Sequence, residues 1–177
     1  MPVKVSWPIV IGVIHPNIGG WVGSYFTRRN VNTWYQIERK LQTLKKPSWT
    51  PPNWMFGPIW TTLYCSMGYS SYLVWKDGDG FERAALPLSI YGTNLLLNWA
   101  WSPIYFGLKN VKWALYEIVL LWGSTAAMAI SFYKVNKLAG CLIIPYFVWT
   151  SLATALNYVI YRDNKPNVEA VTDGKMK

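Results

Sequence analysis

Five apolar runs, each close to the ~20 residues a helix needs to cross hydrocarbon, constrain this chain more than any other feature. They are residues 7–26, 54–75, 84–106, 111–133 and 138–161. The connections are unequal: a long stretch over residues 27–53, then turns at 76–83, 107–110 and 134–137. Short turns force consecutive spans to lie antiparallel and adjacent. The expected fold is therefore an all-α membrane protein, a bundle of five transmembrane helices forming one domain over residues 1–177. Residues 162–177 read as a basic cytosolic tail. Composition agrees, with 14% charged and 52% hydrophobic residues and 12 Trp, where soluble domains carry about 25% charge. The first run lacks a strongly basic segment before it, so it reads as a span and not as a cleavable leader. No internal repeat is visible, which argues against inverted-repeat transporter designs.

The net charge of +9 raises the question of nucleic acid. The basic residues, however, lie between apolar runs and not along one face, so they read as topology-setting charge; no nucleic-acid partner is expected. Of the 17 Lys and Arg, 12 fall in or beside the first and third loops and the C-terminal tail, leaving 5 for the opposite side. The positive-inside bias then places the long first loop and the C-terminus in the cytosol.

Small residues mark places where helix backbones can approach. Gly19-x-x-x-Gly23 and Gly123-x-x-x-Ala127 fit either packing within the chain or a homodimer, and Ser89-x-x-x-Thr93 is a weaker version. Cys65 and Cys141 both fall inside apolar runs and read as free thiols.

Ordinary catalysis finds little support. His15 is the one histidine, with no Asp or Glu within a helical turn, which removes a His-based triad and a multi-His metal site. It reads as a packing or hydrogen-bonding residue. No metal and no cofactor is expected. Glu117 is the acidic residue inside a span: intramembrane carboxylates are functional candidates by default, although this one lies about two turns from the membrane edge and can reach the interface.

The aromatic pattern says more. Residues 46–60 hold four prolines and three tryptophans where the basic loop meets the second span. Proline fixes φ and tryptophan offers a flat apolar face with one donor, so the segment builds a stiff, shaped feature. Asn98-Trp99-Ala100-Trp101, Tyr146, Trp149 and Asn157-Tyr158, with Trp49, Trp54, Trp60 and Trp113, could enclose a flat hydrophobic ligand. Interface belting accounts for Trp7, Trp75 and Trp113 better than for the deeper Trp101 and Trp149. Leu156, Tyr158 and Arg162 fit the permissive pattern suggested for cholesterol, and equally an aromatic and cationic membrane anchor.

These residues, taken together, resemble the translocator protein family (tryptophan-rich sensory proteins, or peripheral benzodiazepine receptors), of the animal type. The matching blocks are Gly19-Gly20 through Tyr25-Phe26, Lys46-Pro47-Ser48-Trp49 with Pro51-Pro52 and Pro58-Ile59-Trp60, Gly68-Tyr69 through Trp75-Lys76, Leu97 to Trp101, and Pro145-Tyr146 through Tyr158 with Arg162-Asp163-Asn164. The resemblance implies a five-helix bundle that binds cholesterol, porphyrin or haem, and benzodiazepine- or isoquinoline-type drugs. It also implies residence among membrane lipid in the mitochondrial outer membrane. By position it implies a ligand pocket of Ser24, Thr27, Trp49, Phe56, Gly57, Ile59, Trp101, Trp113, Leu120, Trp149, Ala153 and Leu156, and a sterol segment over residues 153–165 centred on Tyr158 and Arg162. Ser24, Thr27, Phe56 and Gly57 depart from the mostly aliphatic residues of the family at those positions, which leaves drug affinity open. The first loop is several residues longer than usual. Val135 to Leu138 resembles a second, erythroid paralogue, so the endoplasmic reticulum or nuclear membrane stays as an alternative.

Three functions remain in view: a protein that binds cholesterol and porphyrin and takes part in cholesterol transport or redistribution and tetrapyrrole handling; a Trp-dependent porphyrin-degrading or photo-oxidative stress protein; or a scaffold subunit with a vestigial pocket. The first is the reading adopted, with the protein not an ordinary enzyme.

Overall fold

The computed structural model describes residues 7–41, 45–108 and 110–164, with residues 26–41 described by backbone alone. Among these residues there are five α-helices and no strand: α1 Trp7–Leu41, α2 Asn53–Asp77, α3 Ala85–Ser102, α4 Val111–Val135 and α5 Lys137–Asp163. α3 runs on into a π-helical turn, Pro103–Gly107. α1 packs on α2, α2 on α5, α5 on α4, α4 on α3, and α3 with its π turn returns to α1, closing a ring. One end of the ring holds the start of α1 and the α2–α3 and α4–α5 turns. The other, here the loop end, holds residues 45–52, the start of α4 and the end of α5.

The later helices coincide with the apolar runs to within a few residues, and side-chain caps stand at the starts of α4 and α5. The Asn110 side chain accepts from the Trp113 amide at 3.0 Å, and the Asn136 side chain from the Ala139 amide at 2.8 Å, satisfying donors that a helix start leaves free. Asn136 also donates to the Asp77 carboxylate, tying the α4–α5 turn to the end of α2. The α2–α3 turn reverses through Asp79 (φ 52) and Gly80 (φ 73), residue types that tolerate left-handed backbone.

The first loop departs from expectation. Helix α1 continues through Thr27 to Leu41, 35 residues in all, where the sequence reading has a loop from residue 27. Residues 28–41 contain no Gly or Pro, so nothing in them stops a helix already nucleated inside the bundle. At about 1.5 Å per residue α1 exceeds the ~30 Å hydrocarbon thickness and projects beyond it.

Glycines set how closely α1 approaches its neighbours. A Cβ on Gly68 would lie 2.2 Å from the Gly12 carbonyl oxygen, so α2 meets α1 backbone to backbone. That carbonyl is the one Pro16, four residues on and inside the helix, cannot bond. A Cβ on Gly19 would lie 2.0 Å from Cε2 of the Trp99 indole. The Gly19–Gly23 face thus meets α3 of the same chain, at Trp99 and Ser102. Gly123, by contrast, has nothing within 4 Å.

Polarity is arranged inside out relative to a soluble bundle. Ile11, Trp21, Leu86, Leu96, Ile130 and Val148 are exposed, whereas Ser70, Asn94, Asn98, Thr125 and Thr150 are buried. Such a surface suits lipid as solvent, where helices satisfy their own backbone groups and place polar side chains within. α4 and α5 are long and apolar enough to cross a membrane by composition alone.

Candidate functional site

Helical spacing brings the interior side chains together. In α3, Tyr91, Asn94, Leu95 and Asn98 are buried on one face, with Trp101 the next inward position. In α4 the inward positions include Ala114, Glu117, Ile118, Leu121 and Thr125. In α5 they include Ile143, Tyr146, Thr150 and Asn157.

At mid-height these faces form one hydrogen-bond chain through four helices. The Tyr64 hydroxyl donates to the Asn98 side-chain oxygen. The Asn98 amide donates to the Tyr146 hydroxyl at 2.9 Å, and that hydroxyl donates to the Asn94 oxygen at 3.1 Å. The Asn94 amide then donates to the Ser124 and Thr125 hydroxyls at 2.8 and 2.9 Å, which both donate to the Leu121 carbonyl. His15 joins a separate contact: its Nδ1 lies 3.1 Å from the Ile11 carbonyl oxygen and its Nε2 2.9 Å from the Tyr91 hydroxyl. The histidine therefore links α1 to α3.

Toward the loop end the lining turns aromatic. Phe56 and Trp60 of α2 meet Trp149 edge to face at ring-centre distances of 5.6 and 6.5 Å. Trp60 also meets Tyr146 at 6.1 Å. Trp101 stacks on Tyr105 at 4.9 Å, within a small cluster that includes Val111, Ala114, Leu156 and Ile160. The π turn swings Tyr105 and Phe106 around Trp101, consistent with such turns occurring at functional places.

In this lower half several buried polar atoms lack a partner. Nε1 of Trp101, Nε1 of Trp149, both carboxyl oxygens of Glu117 and Oδ1 of Asn157 are buried without a partner. Buried polar groups are nearly always paired, so four such side chains in one half of one bundle require a reason.

A latch closes the same end. The Asn164 side chain accepts from the Lys45 amide at 2.8 Å and donates to the Lys45 carbonyl at 3.0 Å and the Ile160 carbonyl at 2.7 Å. The segment after Lys45 is stiffened by a turn in which the Thr50 amide and hydroxyl both donate to the Pro47 carbonyl.

The sequence-expected site residues separate into two groups. Trp101, Trp149, Phe56, Ile59, Ala153 and Leu156 are half-buried among the helices. Trp113 (63% exposed) and Leu120 (62%) instead face outward. They fall between the inward positions of α4, so the expectation that Trp113 shares a cavity with Trp101 and Trp149 is corrected. Gly57 is exposed with no neighbour within 4 Å. Ser24 is exposed and bonds its own helix at the Trp21 carbonyl. Trp49 is 45% exposed in the loop, and the Thr27 side chain lies outside the described residues. Tyr158 is 54% exposed on the outer face of α5. Arg162 donates to Asp163 at 2.7 Å, and this hydrogen bond holds the exposed Asp163 carboxyl below the usual carboxylate range.

Tyr64 and Asn94 were not singled out from sequence, and Asn164 entered only as the end of the Arg162-Asp163-Asn164 block. Asn94-x-x-x-Asn98 could have been: two amides one helical turn apart inside an apolar run place both on one buried face. The Asn164–Lys45 pairing spans 119 residues and has no local signal.

An apolar-surfaced five-helix ring with a polar mid-height chain and an aromatic, incompletely bonded lower half defines an all-α membrane protein. The chain belongs to the TspO/MBR family, whose model matches residues 12–162, and is accordingly a multi-pass membrane protein. It is 45% identical to the translocator protein of Homo sapiens over 160 residues, covering 89% of this chain and 91% of that one. It is 38% identical to translocator protein 2 of Canis lupus familiaris over 156 residues, 87% of each chain. Its similarity to the tryptophan-rich protein TspO of Archaeoglobus fulgidus is 38% over 142 residues, 80% of this chain and 87% of that one.

Proposed function

We propose that this chain binds tetrapyrroles in the lower half of the ring and sterols on the outer face of α5. The observation that carries the first part is the group of buried, unpartnered polar atoms on Trp101, Glu117, Trp149 and Asn157 among aromatic rings. A flat conjugated ligand would stack on the indoles and meet those atoms, supplying the partners that the chain itself does not. Of the pocket expected from sequence, Phe56, Trp101, Trp149, Ala153 and Leu156 are retained as contacts. The sterol reading rests on Tyr158 and Arg162, exposed one helical turn apart at headgroup depth. The protein's place is the mitochondrial outer membrane, with the loop end and C-terminus cytosolic.

The test is titration of the purified protein in lipid nanodiscs with protoporphyrin IX, read by Trp fluorescence. Quenching should saturate, and Trp101→Ala or Trp149→Ala should weaken affinity several-fold, since a lost ring partner costs ~0.5–1.5 kcal/mol beyond its area. Full affinity in both variants overturns the interior site.

A second reading, a protein that degrades photo-excited porphyrin, is favoured by the Trp60–Trp149 pair, whose rings are 6.5 Å apart at 87°. Two indoles in contact could pass an electron to an excited pigment. Light-dependent loss of porphyrin absorbance that disappears in Trp149→Phe would support it.

A further inference from the structure

The four unpartnered side chains carry different hydrogen-bonding capacities. The indoles of Trp101 and Trp149 can only donate. Asn157 already donates through Nδ2 to the Ala153 carbonyl at 2.9 Å, so its free atom, Oδ1, accepts. Glu117 is 7% exposed, and neither of its oxygens has a partner. No ion pair among the described residues includes it. His15 is held by Ile11 and Tyr91 on α1 and α3, and Lys112 and Arg162 are exposed at the loop end. A carboxyl kept inside a membrane bundle with no donor from its own chain is costly, and apolar residues would fill the position more stably.

The register places Glu117 beside the ligand region. It is one inward turn toward the loop end from Leu121, where the hydrogen-bond chain terminates. The region thus offers two donors and two acceptors around aromatic faces. A closed porphyrin matches this poorly, because its N–H groups point into the centre of the macrocycle. An open-chain tetrapyrrole can rotate about its methine bridges to present its pyrrole and lactam N–H groups outward, and it adds terminal lactam carbonyls. Its N–H groups would meet Glu117 and Asn157, and its carbonyls the two indoles. Its propionates would lie toward the basic loop end, where Lys45 and Lys112 are exposed.

We infer that Glu117 is a specificity-determining residue that receives N–H donors of the bound pigment, so that the interior site prefers open-chain tetrapyrroles to closed porphyrins. This rests on the tetrapyrrole reading given above. The experiment compares biliverdin with protoporphyrin IX by Trp quenching in nanodiscs, for the unaltered protein, Glu117→Leu and Glu117→Gln. Biliverdin should bind the unaltered protein about tenfold more tightly, the equivalent of about one well-made hydrogen bond. Glu117→Leu should abolish the preference, weakening biliverdin about tenfold and protoporphyrin by less, with an unchanged thermal melt in lipid showing that the bundle is intact. Should Glu117→Leu fail to fold, Glu117→Gln decides, since it keeps the size and one acceptor but puts an amide donor where the second oxygen stood. A preference cut several-fold there supports the assignment; an undiminished one overturns it. Equal affinities in the unaltered protein overturn the role of Glu117 and leave tetrapyrrole binding standing. Absence of quenching by both pigments overturns both.

Discussion

Asn164→Ala should release the loop from the end of α5 without unfolding the bundle. The side chain is buried and makes three hydrogen bonds, two of them to the backbone of Lys45. Each such bond contributes about 0.5–1.5 kcal/mol net, so losing the two that hold the loop should cost about 1–3 kcal/mol of closure. That raises the open fraction by roughly five- to 150-fold. The third bond, to the Ile160 carbonyl, belongs to the end of α5 and contributes nothing to closure. The assay is trypsin cleavage of the Lys45–Lys46 bond in nanodiscs, since Pro47 protects the following bond from the protease. Where opening is fast relative to cleavage, the rate tracks the open population, and it should rise at least fivefold in Asn164→Ala. Asn164→Asp keeps the acceptor for the Lys45 amide and loses the donor, so it should fall between. An unchanged rate in Asn164→Ala, or a rise matched by an equal loss of global stability, would refute the latch.

Tyr146→Phe should lower thermal stability by about 1–3 kcal/mol, because it removes both an acceptor for Asn98 and a donor to Asn94 from a membrane-buried chain; a thermal melt in lipid checks it. Gly68→Ala should destabilise strongly, its Cβ falling 2.2 Å from the Gly12 oxygen, while Gly123→Ala, with nothing within 4 Å, should be close to neutral. Trp113→Ala should leave porphyrin quenching affinity unchanged, as expected of an indole 63% exposed on the outside; a loss as large as that from Trp101→Ala would put Trp113 back in the site. Tyr158→Ser or Arg162→Leu should weaken labelling by a photoreactive cholesterol and spare porphyrin binding, and parallel loss of both ligands would mean the two sites are one.

Much of the helix layout is legible because lipid leaves few alternatives. A run of spanning length must be helical, and Asn110 and Asn136 stand where α4 and α5 begin. The extension of α1 to Leu41 was not legible, because hydropathy marks where a helix leaves lipid and not where it ends. Within the site, Trp101 and Trp149 were readable as deeper than an interface belt. Which way an indole faces was harder: Trp113 lies two positions from the buried Val111 on the same helix, and a difference of two residues turns a side chain to the far side. Asn164 and Lys45 were unreadable for a different reason, since their pairing exists only once the ring has closed.

The two halves of the interior divide the work by how fully they are bonded. At mid-height, donors and acceptors from α2, α3, α4 and α5 form a chain whose linking groups are all occupied. Breaking any of them leaves a polar group facing hydrocarbon, so this level holds the helices in one arrangement. One turn lower, Trp101, Glu117 and Trp149 keep the same kinds of polar atom with no partners. Leaving them unsatisfied makes the ligand-free state less stable, and the tetrapyrrole proposed above would recover that difference as affinity. The latch at Lys45 and Asn164 closes the ring at the same end. Its bonds are few and join α5 to an exposed loop residue, whereas the mid-height chain joins four helices. Opening should therefore be confined to the loop end, and a pigment should enter there without disturbing the Tyr146 level.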